Sequence, residues 1–271
     1  MKKLTWMVGA MLCAMACFTA CSDDDDNNGG GNGNGAGNGG SGVEVKERKL
    51  VRVEEQEGND GTKYITHFAY DSEGRLSKIT ESPEDGSYED VETVTYGDGR
   101  ITVAGEYDED VYVLNGDGYV QTLSYDYEED REDCTYTYSN GYLSRITYTY
   151  YRNEDGEWVK EEDSDTEEYA VSDGNLSKVF SNDYNEEFEV TVEMSSTPNN
   201  MNIDYLYDQW LGSENEFLLC IAGKRYRNLP ARVTDGDDVT TYEYTVDGDG
   251  YVTKAVEKYG SYTYTYWFYY E

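Results

Sequence analysis

Apolar and polar residues alternate with a period of two through most of the chain after residue 43. Tyr136 and Tyr138 fall on one parity and Thr135 and Thr137 on the other; Tyr262, Tyr264, Tyr266 and Phe268 alternate in the same way with Thr263 and Thr265. Successive side chains of an extended strand point to opposite faces, so each run predicts a β-strand with an aromatic face and a Thr-rich or charged face. A sheet of such strands packs on one side and meets water on the other.

A recurring unit punctuates these strands: an aromatic or aliphatic residue, a short turn holding Gly, a polar residue, then aliphatic positions. The copies span 68–79, 95–103, 113–123, 136–146, 169–179 and 244–256, with turn glycines Gly74, Gly99, Gly118, Gly141, Gly174 and Gly250; a weaker copy without the Gly spans 225–233. Asn-Gly and Asp-Gly tolerate positive φ and close tight hairpins, so each copy predicts a β-hairpin. The glycines are separated by 25, 19, 23, 33 and 76 residues, which describes a meander with insertions and not a strict solenoid. Typical strand and loop lengths give about 14–18 strands. A sheet of that size avoids hazardous edges by closing, so the expected fold is all-β: an antiparallel meander forming a closed or strongly curled soluble barrel.

Two segments break the alternation. Ile203, Leu206, Tyr207, Trp210 and Leu211 follow helical spacing, with Asn202 and Asp204 in front and Gly212 behind, which predicts one short helix near 202–211. The apolar run Phe217 to Ala222 predicts a buried strand.

Composition narrows the partners. With 57 acidic and 21 basic side chains the net charge is -36, so a nucleic acid or an anionic lipid surface would meet a repulsive field. Low mean hydropathy and high charge together suggest disorder, but 29 Tyr argue for a folded domain, because disordered chains are poor in aromatics. The single His, His67, excludes a multi-His metal site; a lone strand histidine is expected to be a partly buried packing residue.

The N-terminal region predicts export. Met1-Lys2-Lys3 is a short basic start, and Leu4 to Ala16 has the length of a signal core but is too short to span a bilayer. Thr19-Ala20-Cys21 resembles a lipobox with Phe18 where Leu is usual, which assigns 1–20 as a lipoprotein signal peptide and Cys21 as the lipidated residue. Cleavage before Cys17 is the alternative. Cys21 followed by Ser22 and Asp23 to Asp26 resembles the surface-export signal of Bacteroidetes-type lipoproteins, which implies display on the outer face of the outer membrane. The Gly/Asn-rich stretch to Gly42 cannot bury surface, so 21–42 is the acylated Cys with a disordered tether, and 43–271 is one Tyr-rich β domain. Cys134 and Cys220 remain in that domain, where export permits a disulfide and the apolar context equally suits two free thiols.

The run Tyr70-Asp-Ser-Glu-Gly-Arg-Leu-Ser-Lys-Ile-Thr80 is similar to the YD repeats of Rhs-type shell proteins. Together with the lipobox, the tether, Asn202-Ile-Asp-Tyr-Leu206 and Asn228-Leu-Pro-Ala-Arg-Val233, it resembles an uncharacterised Bacteroidetes lipoprotein family, DUF4595, described as having a porin-like β fold. The resemblance implies a barrel-like fold and an exported location; it brings no catalytic or binding residues. Against membrane insertion, a lipid-facing barrel needs an apolar band about 25 Å tall, whereas the stretches 157–166 and 186–194 carry acids throughout.

Candidate chemistry is sparse. Acidic Gly-rich turns at 115–118, 235–238 and 247–250 suggest Ca²⁺, but Lys258 stands where an EF-hand needs Glu, and hairpin turn chemistry explains them without a cofactor. Carboxylate pairs for glycoside hydrolysis are too many to single out, and there is no nucleophile elbow, P-loop or dinucleotide loop, so no catalytic residue is assigned. The end run Tyr264 to Tyr270 is aromatic on both parities, with Trp267 and Tyr269 opposite Tyr266 and Phe268. Either that strand is buried on both sides or Trp267 and Tyr269 form a ligand face. The expected protein is a surface-exposed outer-membrane lipoprotein without catalysis that binds a glycan or peptide. The alternatives are an accessory subunit with a membrane-protein partner and an acid-based hydrolase.

Overall fold

The structure, a computed structural model, describes residues 48–59, 61–107, 109–126, 129–183, 186–211 and 215–271. The expected signal peptide, Cys21 and tether lie outside these residues. Sixteen strands follow one another: β1 (Leu50–Glu57), β2 (Lys63–Tyr70), β3 (Leu76–Pro83), β4 (Asp90–Gly97), β5 (Arg100–Ala104), β6 (Glu109–Leu114), β7 (Val120–Asp126) and β8 (Asp130–Ser139). The second half holds β9 (Tyr142–Glu154), β10 (Glu157–Ser172), β11 (Asn175–Asp183), β12 (Glu186–Pro198), β13 (Asn228–Asp235), β14 (Asp238–Val246), β15 (Val252–Tyr259) and β16 (Tyr262–Tyr270). Each pairs antiparallel with its sequence neighbours and β16 closes on β1, so the meander is a closed barrel, as the need to remove edges requires.

All six Gly-containing units are hairpins, and all six turn at the same end of the barrel, joining β2–β3, β4–β5, β6–β7, β8–β9, β10–β11 and β14–β15. Three of the turns share one mechanism. Asp71 Oδ1 accepts the backbone N–H groups of Glu73 at 2.9 Å and Arg75 at 2.8 Å. Asn115 does the same for Asp117 and Tyr119, and Asp247 for Asp249 and Tyr251. The acidic turns considered for Ca²⁺ at Asn115 and Asp247 therefore spend an oxygen on their own backbone.

The tyrosines of the repeat have an equally local reason. Tyr70, Tyr96, Tyr138, Tyr244 and Tyr270 stand inside the wall, and each hydroxyl donates sideways to a carbonyl near the start of the preceding strand: Leu50, Leu76, Val120, Pro230 and Val252, at 2.6–2.9 Å. Each ring fills interior volume while its polar tip saturates a main-chain acceptor, a net contribution of about 1 kcal/mol per bond.

The 76-residue gap between Gly174 and Gly250 is where the chain leaves the wall. Residues 199–211 and 215–227 enter the barrel at the same end and plug it. The plug carries α1 (Tyr205–Leu211), inside the expected helical span; Ile203, Leu206, Tyr207 and Leu211 are buried, and the Trp210 side chain is outside the described part. Main-chain bonds weld plug to wall: Val120 N donates to Ile221 O at 2.9 Å, Lys224 N to Gly141 O at 2.7 Å and Arg227 N to Gly174 O at 3.0 Å. Asn202 Oδ1 accepts Leu50 N at 2.7 Å. At Gly223 φ is 110°, and a Cβ there would lie 2.7 Å from Gly141 O, so the close approach demands glycine.

The expected strand at Phe217 to Ala222 is not one. Its apolar residues are buried, but its backbone turns on itself, with Leu219 N bonded to Asn215 O, Cys220 N to Phe217 O and Ala222 N to Glu216 O. A segment enclosed by the barrel has no wet face, so its apolar run carries no periodicity to distinguish strand from turn. Cys134 is buried on β8, Cys220 lies in the plug, and both are free thiols.

Candidate functional site

β16 places aromatic rings on both sides of the wall. Inward, Tyr266 and Phe268 meet Tyr205 of α1 edge-on, with ring centroids 6.2 and 6.0 Å apart. Outward, Trp267 and Tyr269 share a parity. The two-sided strand is thus half core and half surface: Trp267 is partly exposed and Tyr269 is 37% exposed.

Cations frame both rings. Lys63 Nζ, from β2, lies 4.8 Å from the Trp267 ring centre, and Lys254 Nζ, from β15, lies 5.8 Å away. The Arg52 guanidinium, from β1, stacks 3.9 Å from the Tyr269 ring. Glu54 ties the group together, accepting from Lys63 at 3.0 Å and pairing with Arg52 at 3.2 Å. Burial pushes the Glu54 carboxyl upward, but the Lys63 hydrogen bond and the charges of Lys63 and Arg52 outweigh it, leaving it below the usual range. His67 stands opposite Arg52 and is exposed, not the partly buried packing residue expected; partial burial and the Arg52 charge depress its pKa. Parity accounts for the difference, since Thr66 and Phe68 take the inward positions.

Alternation also sorts charge across this part of the wall. The outward positions of β15, β16, β1, β2 and β3 carry Lys254, Lys258, Arg52, Lys63 and Lys78 against one acid, Glu54. The inward positions of the same strands carry Glu55, Glu57, Glu81 and Glu257. Elsewhere the outer wall is balanced: Arg145 pairs with Glu168, Lys178 with Glu189 and Arg232 with Glu193. The described outward positions mix Thr, Lys, Arg and Glu with scattered apolar side chains such as Ile65, Val91 and Phe180, and the charged residues interrupt any apolar band.

The inward carboxyls mark the open half of the lumen. Burial, then the charges of Glu257 and Glu57, pushes Glu55 up to about 7. Burial, then Glu55 and Asp90, pushes Glu81 up to about 7. Burial likewise raises Glu132, Glu167 and Glu257, though a Tyr169 hydroxyl at 2.5 Å from Glu167 and a Tyr266 hydroxyl at 3.2 Å from Glu257 partly counter it. Among the described residues no group of three His, Cys, Asp or Glu side chains has metal-binding geometry.

A depression of about 10 Å³ lies beside Asp204, Phe217 and Arg225, and a groove of about 240 Å³ lies at the open end beside Glu57, Asn59 and Tyr262. Both fall below the roughly 300–1,000 Å³ of ordinary small-molecule pockets. Sequence reasoning had singled out Trp267 and Tyr269; it missed Lys254, which the β15–β16 hairpin sets opposite Trp267, and Arg52 and Lys63, which only the closure of β16 on β1 brings to them.

No family model and no curated protein matches the chain. Among solved structures it is similar to a porin-like protein from Bacteroides uniformis, with 20% sequence identity and a TM-score of 0.64, over 82% of this chain and 98% of that one. The likeness is one of fold: both chains are built on the same barrel architecture.

Proposed function

We propose that the chain is a lipid-anchored outer-membrane protein, displayed outside the cell, that works as a non-catalytic binding module for a glycan or peptide. The observation that carries this reading is the outward pair Trp267 and Tyr269, framed by Lys63, Lys254 and Arg52. Aromatic faces offer stacking surface at low entropic cost, and the wall beneath them is held rigid by a closed ladder. The N-terminal lipobox at Cys21 and the acidic tether supply the address.

The test is thermal unfolding of the full chain against panels of glycans and peptides. A ligand at ten times its Kd adds about 1.4 kcal/mol of stability, or about 3–6 °C at this size. A shift with one ligand class that disappears in Trp267→Ala/Tyr269→Ala supports the reading; a shift that survives the double substitution moves the site elsewhere. Cys21→Ala should abolish acylation, and protease added to intact cells should cut the tether; persistent protection would contradict outward display.

A second reading, an accessory subunit of an outer-membrane complex, draws on the open end. There Tyr88, Tyr107 and Tyr262 are 53%, 91% and 52% exposed on separate turns. Crosslinking in intact cells should then recover a membrane-protein partner, and a clean monomer would remove this reading.

A further inference from the structure

The binding-module reading leaves the ligand class open, and the charge sorting of the wall addresses it. We infer that the outer face of β15, β16, β1 and β2 binds an acidic polysaccharide, one carrying carboxylate or sulfate groups on its sugar rings. This rests on the binding-module reading and goes further by naming the ligand chemistry.

The alternation that places Glu55, Glu57, Glu81 and Glu257 inside places Arg52, Lys63, Lys78, Lys254 and Lys258 outside. Five outward bases against Glu54 make this face cationic on a chain whose net charge is -36. Arg52 and Lys63 share Glu54, and Lys258 reaches Glu243 of β14, whereas Lys78 and Lys254 make no ion pair among the described residues. On the opposite wall Arg145, Lys178 and Arg232 each meet a carboxylate of their own. Charge complementarity therefore favours an anionic occupant on this face.

The aromatic residues choose among anions. The ammonium groups of Lys63 and Lys254 lie 4.8 and 5.8 Å from the Trp267 ring, so a planar hydrophobic surface is combined with positive charge across the four neighbouring strands β15, β16, β1 and β2. A sugar ring stacks on such a surface while its acidic substituent reaches an ammonium on either side. Glu54 occupies one hydrogen of Lys63 and leaves its remaining donors open, because an ammonium carries three. The Arg52 Nε is buried without a hydrogen-bond partner and held against Tyr269, so its N–H can donate to an acidic group that displaces the ring.

The net charge of the chain does not contradict an anionic ligand. Whole-molecule repulsion acts through the long-range field, which is screened beyond about 8 Å at physiological ionic strength, whereas the wall cations act at contact. Repulsion slows approach, and the face decides what stays.

The experiment is affinity electrophoresis of the full chain through gels containing polygalacturonate, alginate, chondroitin sulfate or neutral dextran. The acidic polymers should retard it and dextran should not. Lys63→Gln/Lys254→Gln should weaken retardation at least tenfold with an unchanged unfolding midpoint. Lys254→Arg should retain it, and Lys178→Gln on the opposite wall should leave it intact. Retardation by dextran equal to that by the acidic polymers, unchanged in the Lys63/Lys254 variant, would overturn the acidic-ligand inference and keep the binding module. Equal loss in Lys178→Gln would also overturn it, by showing diffuse attraction. No retardation by any acidic polymer would overturn it as well, and if no glycan or peptide shifted the unfolding temperature either, the binding-module reading would fall with it.

Discussion

At one end of the barrel, Leu50, Leu76, Val120, Leu143, Leu176 and Val252 face the plug and are buried to within 1%. Nearer the open end, past the bulges in β1, β3 and β15, inward positions carry Glu55, Glu81 and Glu257, and β8 and β10 add Glu132 and Glu167. The wall is continuous through both halves, with the same antiparallel pairing and the same alternation; what differs is whether anything fills the space inside. Where residues 199–211 and 215–227 enter, apolar side chains find partners. Where they do not, the lumen is lined by carboxyls and tyrosines that bond one another. Closure alone stabilises a backbone ladder, but a packed core needs an occupant. The plugged half supplies the fold's rigidity.

This comparison can be broken most sharply in the plug. Ile203 is fully buried, so Ile203→Ala should cost about 3–4 kcal/mol, whereas Tyr262→Ala at the open end, 52% exposed, should cost under about 0.5 kcal/mol. Urea unfolding midpoints check both, and similar losses at the two positions would erase the distinction.

Backbone contacts give the next effect. Gly223→Ala forces a Cβ against Gly141 O at φ 110° and should cost about 2–3 kcal/mol. Gly116→Ala, in an open turn with nothing within 4 Å, should be near neutral in the same assay.

Inside the plug, Arg225 bonds Asp204 through Nε at 3.0 Å and Nη2 at 2.8 Å, with the carboxylate side chain 5% exposed. Arg225→Ala strands that charge, although Asn199 still donates to it at 2.6 Å. The loss should be about 2 kcal/mol, below the range for a fully buried pair because Arg225 is partly exposed. No loss in guanidinium unfolding would show the pair to be ornamental.

The smallest effect belongs to the open half and has a definite sign. Glu55 and Glu81 have folded pKa values of about 7, above the ordinary 4.5 of the unfolded chain. The folded state holds these protons more tightly, so their contribution is full below pH 4.5 and fades as pH rises through 7. Between pH 8 and pH 5 stability should therefore rise by about 1–2 kcal/mol, and Glu55→Gln/Glu81→Gln should flatten that slope. A slope of the opposite sign would contradict burial of these carboxyls.

How much of this was readable in advance follows the range of each interaction. The hairpins were legible because Asn-Gly and Asp-Gly turns act over a few residues, and strand count and closure followed from edge avoidance. The helix at Tyr205–Leu211 announced itself by spacing. The turn at Phe217 to Ala222 did not, because total enclosure removes the wet face that gives a pattern its phase. Trp267 and Tyr269 were visible as a parity anomaly within one strand. The cations around them were not, since Arg52 and Lys63 lie about 200 residues away in sequence and arrive only through the β16–β1 seam. His67 was misjudged for want of strand phase: its neighbours Thr66 and Phe68 took the interior.

Native-state hydrogen exchange on the full chain tests the central contrast most directly, because it reads the stability of each segment separately. The amides of Val120, Leu219, Ile221, Ala222, Lys224 and Arg227, bonded within the plug or between plug and wall, should exchange only through global unfolding. Those at the open tips of β9, β10, β15 and β16 should exchange through local opening, several orders of magnitude faster. Equal protection at both ends, or a plug that exchanges before the barrel tips, would contradict a barrel held together from one end.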